Sequence, residues 1–386
     1  MGGKALVNIG KIISGDINSP LLSGNTIIVL DGKIAAVGDK GLLNDYQLDQ
    51  VIDVNGTTVT PGLIDSHVHP VLGDFTPRQR TLDYLDSSLH GGVTTMISAG
   101  EPHTPGRPKD PAGTKALAIL AHKSFKNLRP GGMKVHGGAL ILEKGLTEED
   151  FAEMAATGVW LVGEIGLGSV KTSEEAGPMV GWAKKYGMKV AIHSGGTSIP
   201  GSSVVTADMI IDINPTVVSH INGGTTSLSP AEIDILIEQT VFPLEIVQCG
   251  NIKTADYTAR RLAEKGQLHR IIIGNDSPSG SGIIPLGILR TIVQLAALSD
   301  IAPEQAVAMA SGNTAGVYGL NTSLIAPGRE ADLVVIDAPI GSTGVDALAA
   351  ITAGDIPGIS MVMIDGEVRV LTSRNTPPVT RQVKIN

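Results

Sequence analysis

Only one cysteine, Cys249, occurs in 386 residues. No internal disulfide can therefore brace the chain, and a reducing cytoplasm is the expected setting. Charge is scarce as well: 17% of residues are charged, against roughly 25% in ordinary soluble domains. A surface so short of charge is expected to be partly covered by other subunits, which predicts a homo-oligomer, taken here as a homotetramer. Basic residues are the minority, 29 Lys and Arg against 38 Asp and Glu, for a net charge of −9. This balance argues against nucleic acid or an anionic membrane as partner, since either calls for a basic face. No apolar run approaches the ~20 residues that cross a bilayer. The start, Met1-Gly2-Gly3-Lys4, runs into strand-like sequence without the apolar stretch and cleavage site of a signal peptide. A myristoylation start is equally unsupported, because Leu6 stands where Ser or Thr is needed.

What is abundant is glycine, with 48 residues, about 12% against an average near 7%. Much of it falls in loops after apolar, strand-like runs, where it permits positive φ and close approach of backbone to a ligand. Residues 1–60 carry short β-type runs broken by turns such as Asp31-Gly32, and 322–386 look alike, with Asp365-Gly366. Two β-rich ends suggest one small domain assembled from both termini. Between them, in 61–321, eight β-rich runs (62–68, 93–98, 134–140, 159–164, 188–193, 216–220, 242–248 and 270–275) alternate with helical patterns such as 148–156 and 174–186. That alternation predicts an α/β fold with a parallel sheet, and eight units of this size match a (β/α)8 TIM barrel. A doubly wound sheet is the rival, but no G-x-G-x-x-G follows an early strand.

Five of the eight runs end in groups that bind metals: His67 and His69, then Glu164, His193, His220 and Asp276. In a barrel the C-terminal strand ends converge on one mouth. Alternate strand residues share a face, so His67 and His69 point together. Imidazole and carboxylate suit zinc and similar divalent ions. Each residue alone has a bland reading, as a hydrogen-bonded histidine, a helix cap or a salt bridge. Five such endings at the same end of five strands do not.

The run Val59-Thr60-Pro61-Gly62-Leu63-Ile64-Asp65-Ser66-His67-Val68-His69 resembles the signature of the amidohydrolase superfamily, which includes dihydroorotase, hydantoinase, urease and various deaminases. Gly91-Gly92-Val93-Thr94-Thr95 and the stretch from Gly328 to Asp337 are similar to further family motifs, so the resemblance covers nearly the whole chain. It implies a distorted (β/α)8 barrel with a small β-sandwich built from both ends. It further implies two divalent metal ions, zinc by default with iron plausible at one position. By position, His67, His69 and Asp276 would hold the more buried ion, and His193 and His220 the second. Many binuclear members bridge the pair with a carbamylated lysine; here Glu164 stands at that place and would bridge unmodified. The resemblance makes Asp276 the catalytic proton carrier for attack by metal-bridging hydroxide on an amide.

Within the superfamily, Glu164, the His136-Gly137-Gly138 run and the chain length resemble the cyclic-amidase branch. That likeness implies a small carboxylate-bearing lactam, 6-oxo-1,4,5,6-tetrahydronicotinate, as substrate. The alternatives are a dihydropyrimidinase- or hydantoinase-like enzyme, a mononuclear deaminase, and a non-catalytic scaffold. Gly-, Ser- and Thr-rich loops follow strands five, six and eight and can form anion-binding nests or flexible lids. Candidate substrate contacts are accordingly His136, Ser194, Gly195, Asn222 and Ser277, with Arg78, Arg107 and Lys253 as cations for a carboxylate. Cys249, lacking a matching His–Asp pair, is expected to be a buried structural thiol.

Overall fold

The computed structural model describes residues 2–73, 80–101, 104, 106–197, 199–223, 226–278 and 283–385. Eight parallel strands form its centre: Leu63–Val68, Val93–Ser98, Lys134–His136, Leu161–Ile165, Lys189–Ile192, Val217–Val218, Leu244–Val247 and Ile271–Gly274. They lie in two arcs, of three and five strands. Two parallel bridges join the arcs into a ring, Leu140 to Val162 at one seam and Val68 to Ser277 at the other. The result is a (β/α)8 barrel.

Strands buried on both faces need continuous apolar runs, and the eighth, Ile271-Ile272-Ile273-Gly274, is wholly buried. The helices between strands carry explicit starts. In Glu148–Ala156, Thr147 and Asp150 form a capping box, and Glu148, Glu149 and Asp150 place negative charge at the positive end of the helix. Phe151 and Met154, three residues apart, turn inward from it.

The third strand is shorter than its sequence suggests, stopping at His136 rather than running to residue 140. Helix Pro111–Asn127 presses so close that a Cβ on Gly137 would lie 2.3 Å from Phe125 Cδ2, and one on Gly138 2.4 Å from the Ala118 carbonyl. Gly138 also has φ +82°. The glycine pair thus lets a helix pack against the barrel.

Both chain ends contribute to two further sheets. One orders Lys384–Ile385, Gln50–Asp53, Lys4–Val7, Thr26–Leu30 and Lys33–Gly38; the other runs Glu367–Leu371, Gly358–Ile364, Leu333–Asp337, Thr58–Pro61, Lys11–Ile13 and Leu21–Leu22. Leu6, Ile27 and Ile52 of the first pack with Ile12, Val59, Leu333 and Met361 of the second in a shared core. Lys134 ties the barrel to this layer. Its ammonium reaches Asp332 at 2.6 Å, Glu330 at 2.5 Å and Asp365 at 2.8 Å, and Asp332 is fully shielded from solvent. Removing one partner of a buried pair strands the other charge. Lys134→Met is expected to lower unfolding free energy by about 3 kcal/mol, read as a shifted urea midpoint. An unchanged midpoint would show that Thr322 and the Asp365 amide, which also donate to Asp332, satisfy it alone.

Candidate metal centre

Six side chains from five strands meet at the C-terminal mouth in two trios, His67–His69–Asp276 and Glu164–His193–His220, with the ligand atoms of each trio within 4.8 Å of one another. His67 and His69 stand at and just beyond the end of the first strand, and Glu164 lies near the end of the fourth. His193, His220 and Asp276 follow the fifth, sixth and eighth by one or two residues. The closing seam places Asp276, whose N–H donates to the His67 carbonyl at 2.9 Å, while the His69 N–H donates to the Ser277 carbonyl at 2.7 Å. Close packing here needs a residue without a side chain: a Cβ on Gly274 would lie 2.6 Å from His67 Cβ. His220 and Asp276 have φ of +30° and +58°, conformations that non-glycine residues hold only where the surroundings enforce them.

Hydrogen bonds decide which nitrogen each ring presents. His67 Nδ1 is engaged by Glu245 Oε2 at 2.6 Å, and His69 Nδ1 donates to the Gly100 carbonyl at 2.9 Å. Their Nε2 atoms are left facing one another at 3.2 Å. His193 is reversed: Nε2 donates to the Gly196 carbonyl at 2.6 Å, and Nδ1 faces His220 Nε2 at 3.0 Å. Glu164 lies between the trios. Its Oε1 is 2.6 Å from His220 Nε2, whereas Oε2 is 3.5 Å from His67 Nε2 and 3.6 Å from His69 Nε2. Despite these approaches Oε1 is buried without an aligned hydrogen-bond donor. Converging lone pairs shielded from water are unfavourable unless a cation sits among them, so the donor set fits two divalent ions. One carboxylate oxygen of Glu164 faces each trio.

The electrostatics agree. Burial opposes charge on His67, but Glu245 and then Glu164 outweigh it and hold the imidazole well above its usual pKa. Burial also opposes ionisation of Glu164, which His220 and His67 nevertheless hold well below the carboxylate range. Asp276 is likewise depressed against burial, through its hydrogen bond with His69 and the charges of His67 and His220. His193 is lowered to about 4, first by burial and then by His220. Asp276 is more open to solvent, its side chain 20% exposed against 5% or less for His67, His69, Glu164 and His220.

The expected substrate contacts fare differently. His136 packs edge-on against Trp160, with ring centroids 5.2 Å apart, and Trp160 in turn meets Tyr318. Trp160 precedes Glu164 by four residues, about 13 Å along a strand, so His136 lies toward the foot of the barrel. Burial lowers its pKa to about 4. This corrects its reading as a substrate contact. Ser194 Oγ donates to the Ser219 carbonyl at 2.8 Å, and the Asn222 amide pairs with both backbone groups of Val247, at 2.9 and 2.8 Å. Gly195 exchanges two backbone hydrogen bonds with Val205. These three brace loops rather than offering free donors. Ser277 is buried and directly follows Asp276, as Ser194 follows His193. Arg107 is paired with the fully buried Glu143 at 2.8 Å, Lys253 is exposed near the start of helix Ile252–Glu264, and Arg78 lies outside the described residues. Cys249 is half-buried, and its Sγ donates to Asp276 Oδ2 at 3.3 Å, so the thiol belongs to the site instead of the core.

A profile of the Amidohydrolase family matches residues 58–369. Enamidase of Eubacterium barkeri is 63% identical over 385 residues, covering all of both chains. An enamidase crystal structure superposes with a TM-score of 0.97 at the same identity, again over the whole of both chains. A β-aspartyl dipeptidase from Fervidobacterium islandicum, 18% identical, shares the fold with a TM-score of 0.68 over 96% of each chain.

Proposed function

The chain belongs to the amidohydrolase family, hydrolases of C–N bonds, and from that premise we propose that it opens a carboxylate-bearing cyclic amide. The substrate we assign is 6-oxo-1,4,5,6-tetrahydronicotinate, with 2-formylglutarate and ammonia as products, a step of nicotinate degradation. Glu164 carries the reading: one oxygen faces each trio, an arrangement suited to two ions and of no use to a one-metal deaminase. Full-length likeness to enamidase supports the cyclic amide over a hydantoin or dihydropyrimidine.

His67, His69 and Asp276 would hold one ion, and His193 and His220 the other, with Glu164 shared; zinc fits both positions, and iron one of them. Bound there, divalent ions polarise an amide carbonyl and bring a water's pKa from 15.7 to roughly 7. The chain's own part is proton transfer and positioning. Asp276, ionised and partly open to solvent, accepts the nucleophile's proton and delivers it to the departing nitrogen. Ser277, adjacent to it in the chain, is a candidate for holding the substrate. Breaking the C–N bond leaves an enamine, which tautomerises to an imine. Water then releases ammonia and the aldehyde without help from the protein.

No helix among the described residues is long and apolar enough to cross a membrane. The single cysteine and the scarcity of charge support a cytoplasmic homotetramer. The test is a screen of lactams, hydantoins, dihydropyrimidines and aminopurines on protein whose metal content has been measured. Lactam turnover with about two ions per chain is expected, lost on chelation and restored by zinc. Turnover of hydantoins or dihydropyrimidines alone removes the substrate and leaves the family. One ion per chain with aminopurine deamination would overturn the two-metal reading.

A further inference from the structure

Strand Leu244–Val247 carries one charged residue, Glu245, 1% exposed in an otherwise aliphatic segment. Burying a carboxylate is costly unless partners meet it on every side, and here they do. Oε2 lies 2.6 Å from His67 Nδ1 and accepts the backbone N–H of His220 at 3.2 Å. Oε1 accepts the Ser66 hydroxyl at 2.5 Å, and that hydroxyl also reaches the Ile273 carbonyl at 2.9 Å. A single side chain on the seventh strand thus ties the first and the turn after the sixth, and through Ser66 reaches the eighth. It also grips one member of each trio.

We infer that Glu245 is the positioning residue of the metal centre: it fixes the tautomer and aim of the His67 ring and holds His220 in its strained backbone conformation, so that both trios stay in register. The inference rests on the two-metal reading above. A carboxylate is needed for a physical reason. With Nδ1 engaged by Glu245, His67 presents Nε2 toward His69 Nε2 and Glu164 Oε2, its lone pair freed when a bound cation displaces any proton there. A full negative charge behind the ring raises the basicity of that lone pair, which a neutral amide does far less well. The grip on His220 matters separately. Its φ of +30° is unfavourable, and its Nδ1 has no hydrogen-bond partner among the described residues, so aiming falls to the backbone, where Glu245 holds the N–H while Gly223 N–H and Ser194 Oγ hold the carbonyl.

The test compares metal affinity in chelator-stripped protein, titrated with zinc against a chromophoric competitor. Wild-type protein is expected to take up two equivalents; uptake of none would overturn the two-metal reading itself, whatever Glu245 does. Glu245→Gln fills the same volume without the charge. Its zinc affinity is expected to fall by about 10- to 100-fold, with an unchanged far-ultraviolet circular dichroism spectrum. Ser66→Ala keeps the charge and the imidazole bond, and its affinity should stay near wild type even where its melting temperature drops. Glu245→Asp supplies the reading if the glutamine variant does not fold: its shorter arm cannot span His67 and His220 together, and at least a tenfold loss is expected. Wild-type zinc affinity in a folded Gln or Asp variant, or an equal loss in Ser66→Ala, would overturn the inference.

Discussion

Replacing Asp276 with asparagine is expected to lower kcat/KM by about a thousandfold while metal remains bound. The substitution is isosteric, and asparagine tolerates the left-handed φ of +58° as readily as aspartate. The N–H that donates to the His67 carbonyl is backbone and survives, so the seam should stay shut. One amide oxygen still faces His69 Nε2, from which Asp276 Oδ1 lies 3.3 Å away. What disappears is the capacity to take up a proton. Asp276 is held ionised against burial by His69, His67 and His220, so in the native protein that capacity is present throughout the neutral range. Steady-state kinetics with metal analysis on one preparation checks the result. Activity within tenfold of wild type would remove Asp276 from proton transfer.

Glu164→Ala should have the larger consequence. Three histidines, His67, His69 and His220, have ring nitrogens within 3.6 Å of its carboxylate. Without it the two trios lose their shared member and the negative charge that offsets two cations. Metal content is expected to fall from about two ions to one or fewer, with activity at background. A glutamine control separates charge from shape, and should retain the fold while binding metal poorly. Two ions per chain in the alanine variant would show that the trios are independent.

The two trios were legible because each of their members ends a strand, and strand ends in a barrel share one mouth. His67 and His69 could be paired from their spacing alone. Glu245 was not found, although a signal existed: it is the lone acid in an aliphatic strand, and such a residue has to be paired. Its partners lie 25 residues and 178 residues away, and nothing local specifies them. The choice of ring nitrogen was equally hidden, since it depends on carbonyls at Gly100 and Gly196 that only the folded loops supply. His136 misled for another reason. The glycines after it look like a ligand-binding loop, but they are required by helix Pro111–Asn127. Arg107 was judged as a free cation, and sequence could not show that Glu143 already neutralises it.

The seam between the first and eighth strands is a clasp. Val68, His69 and Ser277 close the ring, and the neighbouring His67 and Asp276 are the residues that would hold a cation there. An ion bound across that join favours the closed ring by mass action, in proportion to the logarithm of its concentration over its dissociation constant. Metal supply would then bear on heat resistance along with turnover, the melting temperature rising with the logarithm of ion concentration.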